Sequence, residues 1–255
     1  MLKYELIDNQ KDEWVVFVHG IGGSTRTWNK QIDDFSKCYN LLLLDLPGHG
    51  LNADNIIDKV DSEKLHHDIK ETLDYLHIDN AHFVGLSLGT LVIANFAVCY
   101  PSYINTIILG GSSLKVTGFA KVAVILADKL KHILPYKFLY KFFAWFMMPK
   151  KNHKKSRAIF LREVVKLNKK TMFAWIEYLQ CALNPEHFLA ELDILKKKIL
   201  FISGDEDHCF LDNAKIIAEK MKTTELKIIE KCGHICSIEK WGIFNNMVLE
   251  FLHLQ

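Results

Sequence analysis

The 255-residue sequence lacks two features that would direct it into or across a membrane. In the middle of the chain the longest uninterrupted apolar run is FFAWFMM, residues 142–148, whereas a helix needs roughly 20 apolar residues to span a bilayer. The first residues, MLKYELIDNQKDEW, have no basic leader followed by an apolar core and a small-residue cleavage site. We therefore expect neither a membrane span nor a secretory signal, and we expect a cytoplasmic protein.

The cysteines also lack any spacing that is typical of a disulfide framework. Cys232 and Cys236 bracket His234, but no second ligand pair lies at zinc-finger spacing. The pattern favours reduced thiols and no metal site, and we expect no organic cofactor. The six cysteines are Cys38, Cys99, Cys181, Cys209, Cys232 and Cys236.

Acidic residues are scarce in one segment. Residues 113–190 contain 15 Lys and Arg but only 4 Asp and Glu, a net charge of +11, while the whole chain carries only +2. The remainder is therefore at −9. Hydrophobic residues make up 49% of the chain and charged residues 24%, which is typical of a soluble globular protein. So uneven a charge distribution indicates a partner for the basic segment.

Short apolar runs alternate with helical patterns over most of the chain. Continuous apolar runs are typical of parallel strands buried on both faces, and the alternation predicts a doubly wound, mostly parallel α/β sheet. Leu65, Ile69, Leu73 and Leu76 predict a helix over 62–76 that is capped by Ser62. The predicted strands are residues 14–19, 41–45, 81–85, 104–109, 198–203 and 226–230.

The alternation stops between residues 113 and 190, where no convincing strand is present. This segment predicts a helical insertion between two strands, and its simplest interpretation is a lid over the carboxyl edge of the sheet. We therefore expect a core domain made of residues 1–112 and 191–255, and a lid domain made of residues 113–190.

Ser87 lies in VGLSLG, a G-x-S-x-G pattern with a strand pattern before it and a helix pattern after it. Such a serine occupies a sharp strand-to-helix turn, where it can act as a nucleophile. An ordinary glycine-flanked turn is the alternative. A serine nucleophile needs a base and an orienting carboxylate. His234 follows the last predicted strand, while Asp205 and Asp207 both follow the strand before it.

A tetrahedral intermediate also needs donors for its oxyanion. We expect the backbone N–H of Leu88, the residue after the serine, to be one of them. The early loop FVHGIGGST supplies the other, the N–H of Ile21.

The motifs HGIGGS, DLPGHG, GLSLG, GDED and CGHICSIE resemble those of the α/β-hydrolase superfamily, in the family's order and over nearly the whole chain except the lid. The resemblance implies a Ser-Asp-His triad in which the acid lies three residues after the glycine of its loop. That spacing selects Asp207 over Asp205. The serine that the family usually carries after PGHG-x is absent, since this chain reads PGHGLNAD.

Large apolar residues and lysines are mixed in the predicted lid. We expect Trp28, Phe143 and Trp145 to contact an acyl chain. The lysines left outside would attract an acidic acyl-carrier protein or anionic lipid, unless the surface is merely solvated. No motif indicates nucleic acid. The residues predicted to contact a carrier are Lys150, Lys151, Lys154, Lys155 and Arg157.

The resemblance implies a serine esterase that works through an acyl-enzyme. A basic lid is similar to that of the methyl-ester esterases that act on pimeloyl-carrier protein in biotin synthesis, which is the leading specific expectation. The alternatives are a carbon–carbon bond hydrolase or lactonase of the same fold, and a ligand-binding protein that has no catalytic activity.

Overall fold

Seven short strands form one sheet in the computed structural model, which describes residues 1–130 and 136–253. The order across the sheet is β1-β3-β2-β4-β5-β6-β7; β1 runs antiparallel to β3 and all other neighbours are parallel. The doubly wound, mostly parallel sheet is thus confirmed. The strands are β1 Tyr4–Ile7, β2 Trp14–Val18, β3 Asn40–Leu44, β4 Ala81–Leu86, β5 Ile104–Gly110, β6 Lys198–Gly204 and β7 Thr224–Ile229.

The central strands are apolar on both faces because each face packs against a separate layer of helices. In β2, Val15 and Phe17 belong to one hydrophobic core, while Val16 and Val18 belong to the other. Successive side chains of a strand point to opposite faces, so a continuous apolar run serves both cores. The carboxyl ends of the six parallel strands meet at one edge of the sheet.

Strand β1, with sequence YELI, has no counterpart among the predicted strands. It lies at the sheet edge, pairs only with β3, and its side chains are half-buried or exposed. A four-residue edge strand therefore needs no continuous apolar run, and the run is what the sequence prediction relied on.

Helices cover both faces of the sheet. The predicted helix at 62–76 is present as Ser62–Tyr75, but its cap is Asp61, whose side chain accepts the Lys64 N–H, and not Ser62. No helix in the described ranges is long and apolar enough to cross a bilayer. The α-helices are α1 Ile32–Phe35, α2 Ser62–Tyr75, α3 Leu88–Cys99, α4 Gly118–Leu130, α5 Tyr136–Met147, α6 Lys154–Val164, α7 Lys169–Tyr178, α8 Glu186–Ile194, α9 Leu211–Lys220, α10 Cys236–Glu239 and α11 Trp241–His253; short 3-10 helices cover Thr25–Trp28, Gly50–Asn52, Pro101–Tyr103 and Leu179–Leu183.

Helices α4 to α8 lie between β5 and β6, where the sequence predicted a helical insertion. Helix α8 continues past the predicted boundary at residue 190 and packs against α3. The division into a core and a lid stays a prediction. Residues 131–135 of that predicted lid and residues 254–255 of the predicted core lie outside the described residues.

Gly89, in the first turn of α3, brings that helix against the end of β2. A Cβ atom at Gly89 would lie 2.2 Å from the Val18 carbonyl oxygen and 2.7 Å from that of His19. Both of these atoms belong to the backbone, which cannot move aside without displacing β2 or α3.

We predict that Gly89→Ala lowers the free energy of unfolding by about 2 kcal/mol or more, because the added methyl group overlaps rigid backbone. Gly242→Ala is the matched control, since Gly242 also lies in the first turn of a helix but has nothing within 4 Å of its added Cβ. Urea unfolding should leave this control unchanged or slightly stabilised. Equal destabilisation of both variants would contradict the close-approach explanation.

Candidate active site

Ser87 occupies the turn between β4 and α3 with a strained backbone. Its φ and ψ are 52° and −120°, a conformation that costs a non-glycine residue roughly 1–3 kcal/mol. A Cβ at Gly85, two residues before Ser87, would lie 2.9 Å from the carbonyl carbon of Gly89, two residues after it, so the turn needs a glycine at position 85. The Ser87 N–H donates to the Gly110 carbonyl at 2.9 Å, which ties the turn to β5.

His234 lies in the loop that follows β7, and both of its ring nitrogens have partners. Its Nε2 lies 2.8 Å from Ser87 Oγ, and its Nδ1 lies 2.8 Å from Asp207 Oδ2. Because the carboxylate accepts the Nδ1–H, Nε2 is left to accept the serine proton. The structure thus brings all three predicted triad residues into one hydrogen-bonded chain, in which Asp207 and His234 are buried.

Asp205 is engaged elsewhere. Its Oδ1 accepts the Cys232 N–H at 3.1 Å and its own N–H donates to the Ile229 carbonyl at 3.0 Å. This carboxylate holds the turn after β7, and the geometry therefore favours Asp207 as the partner of His234, as the family spacing implied.

The two predicted oxyanion donors flank Ser87. Leu88 opens α3, so its N–H lies at the positive end of the helix dipole. Ile21 follows Gly20, at which a Cβ would lie 3.1 Å from the Ser87 Cβ. Among the described residues, neither N–H takes part in a loop or turn hydrogen bond. Both groups are therefore available to a ligand.

Two buried histidines shape the early loop. His49 Nε2 accepts the Gly22 N–H at 3.0 Å, and His19 Nδ1 lies 2.8 Å from the Gly20 carbonyl. Burial lowers the pKa of His19 and lowers the pKa of His49 well below its ordinary value. Both rings therefore stay neutral near pH 7, the state in which an imidazole nitrogen can accept the Gly22 N–H.

Ser113, which the sequence analysis missed, holds the turn from the other side. Its Oγ donates to the Ser87 carbonyl at 2.9 Å, and the hydroxyl of Thr90 donates to the same oxygen at 2.5 Å. The only signal in the sequence was that Ser113 comes soon after a strand. Loop residues that have no function also occupy such positions, so the signal could not single out Ser113. Phe210 packs its ring 4.8 Å from that of His234.

Two apolar cavities meet at Ser87. Ile21, Ser87, Met147 and Phe160 line both of them. One cavity extends along the early loop towards Ile235 and Ile238, and the other extends beneath α4 and α5 towards Ile176. Within the described residues no lysine or arginine lines either cavity. A larger and more polar cavity, lined by Arg26, Asp45 and Lys166, lies beyond Gly22 and is not lined by Ser87.

Of the three predicted substrate contacts, one lines a cavity at Ser87 and two do not. Phe143 lines the cavity beneath α4 and α5. Trp28 was wrongly assigned, because it is fully buried against Phe17 in the core and lines neither cavity at Ser87. Trp145 was also wrongly assigned, because it is 56% exposed and lies against the Arg157 guanidinium, 3.7 Å from the centre of its ring.

Two of the predicted carrier contacts have other roles. Arg157 is buried and donates to the carbonyls of Met148 and Lys150, so it is not a surface cation and that assignment was wrong. Lys150 pairs with Glu206 at 2.9 Å. Lys151, Lys154 and Lys155 are exposed, and their role stays a prediction.

Glu206 is the residue before Asp207, and it connects the loop after β6, which carries both residues, to the segment before α6. It accepts hydrogen bonds from Asn152 at 2.6 Å and from the buried His153 ring at 2.8 Å. Glu239, whose Oε2 lies 3.9 Å from the same ring nitrogen of His153, accepts the N–H of Gly233, the residue before His234, at 2.8 Å. A Cβ at Gly233 would lie 2.8 Å from His153 Nε2. One imidazole therefore packs against the residues that precede both the acid and the base.

We predict that Ser87→Ala lowers kcat for p-nitrophenyl butyrate at least about a thousandfold and abolishes labelling by a fluorophosphonate. Asp207→Asn should cost about 10⁴-fold, because the imidazole loses its tautomer and orientation. Asp205→Asn is the matched control and should cost less than about tenfold. If Asp205→Asn lowered kcat more than Asp207→Asn did, the catalytic carboxylate would have to be assigned to Asp205.

We also predict a pH-dependent contribution of Glu206 to stability. Hydrogen bonds from Asn152 and Lys150 lower the pKa of Glu206 from 4.5 to about 2. A lowered pKa stabilises the fold above pH 4.5, and this stabilisation is lost as the pH falls towards about 2. Glu206→Gln should lower the free energy of unfolding by about 1 kcal/mol at pH 7, and by less at pH 3. Urea unfolding at both pH values tests this, with exposed Glu219→Gln as control; a pH-independent difference would contradict it.

Comparisons with known proteins agree on the fold. A family model described as the alpha/beta hydrolase fold matches residues 13–148. The chain is 26% identical over 262 residues to a 2-hydroxy-6-oxononadienedioate/2-hydroxy-6-oxononatrienedioate hydrolase of Burkholderia vietnamiensis, covering 94% of this chain and 87% of the relative.

Two solved structures share the fold at 20% sequence identity. An enol-lactonase from Burkholderia xenovorans superimposes with a TM-score of 0.82, covering 99% of this chain and 96% of that one. A structure from a study of carboxylesterases of Nitrososphaera gargenis also gives a TM-score of 0.82, with coverage of 99% and 94%. The family model spans more than half of the chain, so this protein belongs to the α/β-hydrolase family and is a hydrolase of that fold.

Proposed function

We propose that this hydrolase transfers an acyl group to Ser87 and then to water. We propose further that the leaving group of the first step departs either through an enol oxygen or through a carbon atom that is conjugated to a double bond. Its substrates would then be enol esters and lactones, or ketones that are cleaved at a carbon–carbon bond. The observation that carries the proposal is the hydrogen-bonded chain from Ser87 through His234 to Asp207 at the meeting point of two apolar cavities.

The reaction has two halves. In the first, His234 Nε2 takes the Ser87 proton as Oγ bonds to the substrate carbonyl, and the N–H groups of Ile21 and Leu88 hold the oxyanion. The bond to the leaving group then breaks, its electron pair stays with the leaving atom, and His234 returns the proton there. In the second half His234 deprotonates a water molecule, which attacks the acyl-enzyme and releases the acid.

The two cavities favour a substrate with bulk on both sides of the scissile bond. A methyl ester releases a single carbon and would leave one cavity unfilled. Moreover, Arg157 is buried, which removes one of the five residues expected to contact a carrier, and Lys150 is already paired with Glu206. The named relatives, a 2-hydroxy-6-oxo-dienedioate hydrolase and an enol-lactonase, also support the alternative expectation of a carbon–carbon bond hydrolase or lactonase better than a carrier-protein esterase.

The charge of the cavities favours an uncharged substrate. No lysine or arginine of the described residues lines them, and the acid Glu163 lines one. A buried carboxylate without a cation is strongly disfavoured. The relative from Burkholderia vietnamiensis is named for a dicarboxylate. We therefore propose that this chain differs from it in accepting substrates whose groups on both sides of the scissile bond are uncharged.

We predict that vinyl hexanoate is hydrolysed with a kcat/KM at least about tenfold above that of methyl hexanoate, after each is divided by its rate constant for alkaline hydrolysis. The vinyl group leaves as an enol and occupies the second cavity. Ser87→Ala is the control for both esters. A methyl ester that is turned over equally well after this correction would contradict the enol-leaving-group proposal.

Monovinyl adipate has the same chain length as vinyl hexanoate but ends in a carboxylate. We predict a kcat/KM for monovinyl adipate at least about tenfold lower, because the cavities offer no counter-charge. Steady-state assays at pH 7.5 and constant ionic strength test this. Equal rates for the two esters would show that the terminal carboxylate is accommodated.

A further inference from the structure

Helices α4 and α5 are apolar on more than one face. One face of each lines the cavity at Ser87, through Ala120, Ala123 and Val124 of α4 and through Phe143 and Phe146 of α5. These contacts explain one apolar stripe on each helix, but they leave a second stripe unexplained.

The second stripe of each helix is exposed. Its residues recur at spacings of three and four, so they lie along one side of the helix. Phe119 is 85% exposed and Trp145 is 56% exposed, although aromatic side chains usually bury their surface. Exposed apolar surface of this kind marks a site of interaction. The stripes consist of Phe119, Val122 and Leu126 on α4, and Phe138, Phe142 and Trp145 on α5.

Positive charge accompanies these stripes. Exposed Lys129 comes three residues after Leu126, and exposed Lys141 comes three residues after Phe138, so each lysine flanks a stripe. In the sequence, residues 115–155 contain ten lysines and a single acidic residue, Asp128. Two of these lysines, Lys115 and Lys150, pair with Glu186 and Glu206. A second copy of this chain would bring lysines against lysines, so the charge favours an anionic occupant.

We propose that the exposed stripes of α4 and α5 dock on an anionic lipid bilayer. Aromatic and aliphatic side chains bordered by lysines are the pattern of helices that lie in the headgroup region, with the apolar side chains inserted and the amines on the lipid phosphates. An acidic protein would satisfy the lysines but would need a matching apolar surface for six large side chains. The described helices do not cross the bilayer, so the docking is peripheral.

Docking would bring the two helices that line the cavity at Ser87 against the lipid, because α4 and α5 line that cavity with their other faces. An apolar substrate dissolved in the bilayer would then have a short path to the serine. Binding itself does not depend on the proposed function, and it can be measured with the Ser87→Ala variant.

The test is sedimentation of Ser87→Ala protein with vesicles at 0.1 M NaCl. Vesicles of phosphatidylglycerol and phosphatidylcholine in equal parts should bind at least about tenfold more tightly than vesicles of phosphatidylcholine alone. Brominated lipid should quench Trp145 fluorescence in the bound state, and Trp145→Phe should lose that quenching. Failure to bind the anionic vesicles would overturn the proposal, and tight binding to an acidic carrier protein in its place would assign the surface to a protein partner.

Matched double variants separate insertion from simple charge attraction. Phe119→Ser with Phe138→Ser should weaken binding to the anionic vesicles at least about tenfold. Tyr75→Ser with Ile194→Ser also replaces two large residues, 64% and 74% exposed, on α2 and α8, and it should leave binding unchanged. Equal binding by the two double variants would overturn the docking of these stripes. Thermal unfolding of each variant checks that the fold is retained.

Discussion

The active site depends on how closely helix α3 approaches strand β2. At Gly89 the helix backbone packs against the carbonyl oxygens of Val18 and His19, with no space for a side chain. This contact fixes where α3 begins, and Ser87 must take a positive φ to connect β4 to that point. The strained turn is retained because surrounding groups hold it, chiefly the hydrogen bonds of its N–H to Gly110 and of its carbonyl to Thr90 and Ser113.

The base and the acid are held in a similar way at the carboxyl edge of the sheet. A Cβ at Gly111 would lie 2.4 Å from the His234 carbonyl oxygen, and a Cβ at Gly204 would lie 2.1 Å from that of Cys232. The loop that carries His234 therefore rests directly on the ends of β5 and β6. His153 and Glu206 then join this edge to the segment before α6. The helices between β5 and β6 are thus connected to the two loops on which the triad depends.

Much of this arrangement could be predicted from the sequence because it depends on local patterns. Buried parallel strands need continuous apolar runs, and the six predicted strands lie within two residues of the observed ones. The turn at Ser87 was predicted from the same kind of local pattern, whereas the order of the triad and the choice of Asp207 over Asp205 came from the resemblance to the α/β-hydrolase superfamily. Edge strand β1 was missed because a half-exposed strand carries no such run.

The side-chain contacts of the helices between β5 and β6 could not be predicted at the same level, because the direction of a helical side chain depends on tertiary packing. Phe143 and Trp145 differ by two positions, and the helical rotation between them places one in the cavity and the other in solvent. Arg157 has the composition of a surface residue, but its guanidinium is covered by Trp145 and bonded to backbone carbonyls. Trp28 follows a loop that does reach the site, yet its side chain points into the core.

The distribution of charge connects the chemistry of the cavity with the surface above it. Among the described residues, the two cavities at Ser87 have no basic lining, whereas the same helices carry lysines outside. A cation inside the cavity would be costly without a partner and would select for acidic substrates. A cation on the outside costs little, and it attracts an anionic surface over a distance of about 8–10 Å at physiological salt. In the proposed docking, the lysines and the exposed apolar stripes of this segment would direct the enzyme to a membrane, while the apolar residues that line the cavities would select the substrate.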